Sequence, residues 1–205
     1  MRYEDEIVGK DTKEEKDDQP VRAKKRAVEK ESTLKGSLLL LRDIGIAIAV
    51  LVLILQFYKP TIVFEHSMED TLHPDDYVFL AKKAFVFGEI KHGDIVVFES
   101  DLLDERGGVK SLIKRVIGLP GDKIEVMDDA VYRNGKILNE PYIKDGITPG
   151  SVSVVVPPDA YFVLGDNRQV SMDSRNAAVG FVEQERIKGK VIYRLFPLST
   201  AGVIR

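Results

Sequence analysis

Residues 37–58 read SLLLLRDIGIAIAVLVLILQFY, and the role of this run decides how the rest of the chain is to be understood. From Leu38 to Tyr58 it is close to the roughly 20 residues that a bilayer-spanning helix needs. Arg42 and Asp43 interrupt it, leaving Ile44–Leu55 as the uninterrupted apolar part. Such a run is either a buried or cleaved hydrophobic segment or a retained membrane anchor. The anchor is favoured. Arg42 can snorkel toward the headgroups with Asp43 paired to it, and Gln56, Phe57 and Tyr58 suit the opposite interface. After Tyr58 the chain continues Lys-Pro-Thr-Ile-Val, with no small-x-small cleavage pattern.

On the N-terminal side, residues 1–36 are charged and follow no sustained apolar period, which predicts a solvated, flexible tail. Orientation follows from charge. Between Val21 and Arg42 there are seven Lys or Arg (Arg22, Lys24, Lys25, Arg26, Lys30, Lys35, Arg42), against one, Lys59, between Lys59 and Asp76. The positive-inside rule then puts the tail in the cytoplasm and residues 59–205 outside, in the membrane of a single-pass protein. The expected organisation is thus 1–36 tail, 37–58 anchor, 59–205 extracytoplasmic domain.

With 205 residues and 44% hydrophobic content, the chain can bury one sizeable core. A net charge of -3, without a Lys/Arg stripe beyond the anchor, argues against nucleic acid as a partner. The absence of cysteine excludes disulfides and thiol nucleophiles. Beyond the anchor, short runs rich in Val, Ile, Tyr and Phe predict strands at 77–80, 95–98, 123–126, 152–156, 161–164 and 191–195. Asn134-Gly135, between VYR and KIL, is the strongest hairpin signal. Val182–Ile187 reads as one helical turn. A mainly β, antiparallel sheet or barrel-like domain behind one transmembrane helix is the expected fold.

FEHSMEDTL, residues 64–72, places Ser67 nine residues past the anchor, within about 30 Å of its end even if fully extended. A serine needs a base to become a nucleophile. His66 adjoins it, but neighbours on an extended chain point to opposite faces. His73 and His92 lie in polar, turn-like settings and suggest no metal site. Lys114 stands in SLIKRVIGL. On a strand it shares a face with Leu112 and Val116, where burial would lower its pKa enough for a neutral amine to accept a proton. A lysine snorkelling from a strand edge fits the same pattern equally well.

Four ordered blocks carry a resemblance: SMEDTL (67–72), GDIVVF (93–98), KRVIGLPGD (114–122) and GDNRQVSMDSR (165–175), followed by GFVEQERIKGKVIYRLFPL up to Leu198. After a single anchor they resemble the bacterial type I signal peptidases. The resemblance implies a serine endopeptidase that removes signal peptides from exported preproteins with a Ser/Lys dyad and no cofactor or metal. Ser67 matches the nucleophile and Lys114 the base. Ser171 matches the hydroxyl that orients the lysine amine, and Arg115, Asp166, Asp173 and Arg175 match charged residues that brace the site. Val63, Leu112 and Ile113 match the substrate pocket, with Phe64 and Met68 beside them, and the implied preference is Ala-x-Ala before the cut. Glu65 and Asp70 depart from the family pattern. Glu65 takes the place of a side-chain hydroxyl that serves the oxyanion in some members, leaving the Ser67 backbone N–H to carry more of that role. A catalytically silent anchored β-domain that binds exported proteins is the alternative that those departures suggest. A self-cleaving repressor shares the chemistry but calls for a DNA-binding helix-turn-helix in place of the anchor.

Overall fold

A computed structural model describes residues 19–82 and 90–204. The chain divides into two units, Met1–Ile54 and Leu55–Arg205. The first is dominated by one long helix, α1, Gln19–Phe57. Its most apolar window has a mean hydropathy of 2.7 and is not buried by protein at all, as expected of a helix whose solvent is lipid. Arg42 donates to Asp43 from Nε (3.0 Å) and Nη2 (2.9 Å), the pairing expected of a charged couple at this position.

The helix begins before the expected anchor. Residues 19–36 are helical, so this part of the charged tail is not irregular chain; residues 1–18 lie outside the described residues. The reason is intrinsic propensity. Eleven of these 18 residues are Ala, Lys, Glu, Arg or Leu, which lose little freedom in a helix. An i,i+4 pair, Glu31 with Lys35 at 2.7 Å, supports it. At the other end Tyr58 belongs to a strand and not to the anchor.

In the second unit, every strand pairing among the described residues is antiparallel. Its strands are β1 Tyr58–Ile62, β2 Tyr77–Lys82, β3 Ile95–Leu103, β4 Val109–Gly118, β5 Lys123–Met127, β6 Ala130–Arg133, β7 Lys136–Ile137, β8 Val152–Val155, β9 Ala160–Leu164, β10 Val182–Glu183, β11 Ile187–Phe196 and β12 Gly202–Val203. The larger sheet runs β1-β2-β11-β3-β4-β9-β10, with β12 on β11, and the smaller runs β7-β6-β5-β8. Asn134 (φ 54°) and Gly135 (φ 74°) both take the left-handed conformation that a two-residue hairpin between right-twisted strands requires. The stretch 182–187 is not one helical turn: it is β10, a 3-10 turn at Gln184–Arg186, and the start of β11.

What matters for the site is that β4 lies inside the larger sheet, between β3 and β9. Val96 pairs with Lys114, and Arg115 faces Ile95 on one side and Leu164 on the other. A central strand is covered on both faces, and from Leu112 to Gly118 only Ile113 is not fully buried. Leu112 and Val116 pack with Val96, Phe98 and Val163. Val63, Met68 and Leu72 pack with Ile95 and Val97.

Candidate active site

Ser67 is the middle residue of a 3-10 turn, His66–Met68, and is 6% exposed. The turn is held from below by burial of Met68 and Leu72. From the side it is held by Asn167, whose backbone N–H donates to the Ser67 carbonyl (3.1 Å) and whose Nδ2 donates to the His66 carbonyl (3.2 Å). Lys114 arrives from β4, fully buried. Its Nζ donates to Ser67 Oγ at 2.7 Å and to the Ile113 carbonyl at 3.0 Å. Forty-seven residues of sequence separate the two side chains that meet here.

Among the described residues no carboxylate forms an ion pair with this amine. Burial is the main influence on it and pulls its pKa from 10.5 to about 8; Glu65, Asp173 and Asp166 oppose that shift, and Lys110 adds to it. Arg115, its neighbour in sequence, is not among these influences. Its charge is neutralised locally by Asp166.

That pairing is the best-formed ionic contact of the site. Arg115 donates from Nε to Asp166 Oδ1 (2.9 Å) and from Nη2 to Oδ2 (2.7 Å), while Nη1 donates to the Gly93 carbonyl. The guanidinium also lies 3.9 Å from the centre of the Tyr142 ring. Burial is the largest single influence and works against the Arg115 charge, but the hydrogen bonds and charge of Asp166, with Tyr142 and Glu140, together outweigh it, and its pKa lies above the ordinary value. Asp173 accepts from Arg175 Nε and Nη2, both at 2.9 Å, and from the Gly165 backbone N–H. Arg115, Asp166, Asp173 and Arg175 therefore stand together as a scaffold around the Ser67–Lys114 contact.

Ser171 is close by but does not bond the amine. Its hydroxyl is buried without a hydrogen-bond partner, and the second bond of the amine goes to the Ile113 carbonyl. Leu112 is also displaced from its expected place: it is 2% exposed and belongs to the core with Val96 and Val116. The groove beside Ser67, about 770 Å³, is lined by the other four expected residues, Val63, Phe64, Met68 and Ile113. Leu112 points to the face opposite Ile113, into the core. Glu65 faces the groove as a carboxylate 2.5 Å from Lys110 Nζ. His66 bonds Glu69 at 2.8 Å and is mostly exposed, and His92 bonds Asp122 at 2.6 Å. Among the described residues no group of three or more His, Cys, Asp or Glu is placed to hold a metal ion.

Sequence reasoning missed Arg168. It is 2% exposed, donates from Nε to the Gly165 carbonyl (3.0 Å), and binds Glu140 through both terminal nitrogens (3.0 and 2.6 Å). Its place in GDNRQVSMDSR was the available signal. Glu140 and Tyr142 carry none, since nothing local distinguishes them. Gly165 is a third kind of site residue: a Cβ there would sit 2.4 Å from the Ser67 carbonyl oxygen and 2.2 Å from Ser171 Oγ.

A hydroxyl against a buried amine of lowered pKa has the makings of nucleophile and base. A profile of the family "Signal peptidase, peptidase S26" matches residues 38–196. Signal peptidase I of Bacillus licheniformis is 37% identical over 183 residues, covering 83% of this chain and 95% of that protein. Signal peptidase I S of Bacillus subtilis is 36% identical over 170 residues, covering 77% and 88%. The crystal structure of a signal peptidase I from Enterococcus faecalis is 32% identical, covers 50% of this chain and 97% of that one, and superposes with a TM-score of 0.43. By class the protein is a membrane-anchored serine endopeptidase. The chain belongs to the signal peptidase family, peptidase S26.

Proposed function

We propose that this protein cleaves signal peptides from exported preproteins, with Ser67 as nucleophile and Lys114 as general base. The observation that carries the assignment is the 2.7 Å contact between Lys114 Nζ and Ser67 Oγ in a buried setting. With the amine neutral, the same contact runs the other way: Ser67 O–H donates to Nζ. Ser67 Oγ attacks the scissile carbonyl as its proton passes to Lys114. Backbone N–H groups, that of Ser67 first, stabilise the oxyanion. The C–N bond then breaks and Lys114 returns the proton to the departing amine. Water, deprotonated by the same lysine, attacks the acyl-enzyme and releases the second product and free Ser67.

The groove lined by Val63, Phe64, Met68 and Ile113 receives the residues before the cut, with a small-x-small preference and an extended peptide backbone. The Ile113 carbonyl positions the amine. Arg115–Asp166 ties β4, which carries the amine, to the segment after β9, and Arg175–Asp173 braces that segment. The charged tail faces the cytoplasm, and the β-domain lies outside, as the distribution of Lys and Arg around the apolar run supports. The Ser67–Lys114 contact weighs against a silent binding domain.

The test is incubation of the detergent-solubilised protein with a preprotein, with the new N-terminus sequenced. Wild type should give one cut after a small-x-small motif, and Ser67→Ala none. Undiminished cleavage by Ser67→Ala would overturn the nucleophile. Protease added outside intact cells should reach the β-domain and spare an epitope on residues 1–36, and loss of that epitope would reverse the orientation.

A further inference from the structure

The groove that holds Ser67 has two walls. One is the segment Thr61–Met68. The other is the hairpin of β3 and β4 with its connecting loop, Leu103–Ile113. Glu65 stands on the first wall and Lys110 on the second, and their side chains meet at 2.5 Å. The pair therefore crosses the groove.

We propose that the Glu65–Lys110 ion pair is a latch over the substrate groove, which an incoming peptide must open to reach Ser67, so that these two residues help set substrate affinity. The inference rests on the reading that the groove receives substrate. Three observations carry it. First, neither side chain has a second ion-pair partner among the described residues, so opening the pair breaks no other ion pair, and the opposed effects of the two charges on Lys114 are separated from binding by reading affinity in the Ser67→Ala background. Of the acids around the pair, Glu69 pairs with His66, Asp166 with Arg115 and Asp173 with Arg175, while Glu105 and Arg106 line the same groove. Second, the backbone beneath Lys110 is fixed, because its carbonyl accepts from Ser100 Oγ at 2.8 Å while the side chain alone reaches across. Third, both side chains are 38% exposed. A pair half in water is weak enough for a ligand to displace, and its loss should change affinity by no more than about fivefold.

The lip supports the same conclusion. Phe64, next to Glu65, is 77% exposed, and Val109, next to Lys110, is 57% exposed. Apolar side chains flank the latch on both walls, a surface that a bound peptide would cover. An opened latch leaves one carboxylate and one ammonium facing that peptide, each able to meet a polar group on it.

The experiment uses the full chain in detergent carrying Ser67→Ala, with a fluorescein-labelled peptide spanning a preprotein cleavage site, and reads binding by anisotropy. Glu65→Gln and Lys110→Gln should each tighten binding about two- to fivefold. Raising salt from about 50 to about 500 mM should tighten binding to the unlatched-by-salt parent and leave both variants unchanged. The exchange Glu65→Lys with Lys110→Glu should restore the parent's affinity and salt response. With Ser67 intact, KM should fall in the single variants. Unchanged or weaker binding in both single variants overturns the latch, as does an exchange variant that behaves like the single ones. Binding that follows the prediction while Ser67→Ala still cleaves would instead refute the nucleophile and leave the latch standing.

Discussion

Lys114 and Arg115 are consecutive, both cationic in origin and both out of contact with water, at 0% and 2% exposure. Their surroundings differ in one respect. Arg115 is met by a carboxylate through two parallel hydrogen bonds and by an aromatic face, whereas Lys114 is met by a hydroxyl and a carbonyl. Burial disfavours charge in both places. Asp166 offsets it for Arg115, which stays ionised, while nothing of that strength offsets it for Lys114, which can lose its proton near pH 8. A buried cation becomes a brace or a base according to whether a carboxylate is given to it.

The sharpest way to break this contrast is to make the base as permanent a cation as its neighbour. Lys114→Arg should lower single-turnover cleavage by about 10²–10⁴-fold, because guanidinium does not act as a proton acceptor near neutral pH. In the wild type, kcat/KM should rise with pH along an acidic limb centred at about 8. Retention of activity with an unmoved limb in the variant would exclude Lys114 as the base.

The converse change removes the carboxylate. Asp166→Asn leaves Arg115 ionised, buried and without its counter-charge, and should cost about 3–5 kcal/mol of stability, read as a lowered denaturation midpoint in detergent. A midpoint within error of wild type would mean that the Arg115 charge is met from elsewhere.

The third change asks what the unpartnered amine costs the fold. Lys114 takes up its proton less readily in the folded state than in the unfolded, so between about pH 8 and 10.5 the unfolded chain binds more protons and stability rises with pH. Below that window the penalty is complete, about 3 kcal/mol. Lys114→Met should therefore be more stable than wild type at pH 7 by up to that amount, and should lack the rise. Melts of both proteins at pH 7 and pH 10 measure it, and a variant less stable than wild type at pH 7 contradicts the assignment.

The smallest effect belongs to Ser171. Its hydroxyl is buried and makes no bond, so Ser171→Ala should leave stability unchanged or raise it by up to about 1 kcal/mol, and should not move the acidic limb. A displaced limb would show that this hydroxyl does reach the amine.

Of these features, the anchor was the most legible in the sequence, because hydropathy over residues 37–58 needs no tertiary information. The interior strands β2, β3, β5, β9 and β11 followed for a similar reason, being short apolar runs between turns, whereas β4 entered only as a conditional setting for Lys114. The edge strand β1 did not, since Tyr58-Lys-Pro resembles the interfacial end of an anchor and Pro60 is tolerated only because the strand lies at the sheet edge. The helix at 19–36 was obscured by the opposite problem: its charge pattern suggested solvated chain while its propensities favoured helix. At the site, apolar neighbours marked Lys114 as a candidate for burial, but they could not distinguish an active-site amine from one snorkelling at an edge. Bringing Lys114 to Ser67 depended on the ordered blocks. Arg168 with Glu140, and Arg115 with Tyr142, each span nearly thirty residues, and no local pattern records such contacts.

Gly165 gives the site a component made of vacancy. Any side chain there would begin far inside van der Waals contact of the Ser67 carbonyl oxygen and the Ser171 hydroxyl, and the first of these is backbone held by the Asn167 N–H. Of the twenty letters available at that position only one leaves the neighbouring atoms where they are. A library randomised at 165 and selected for secretion should therefore return an alphabet of one, although the residue it returns has no functional group to contribute.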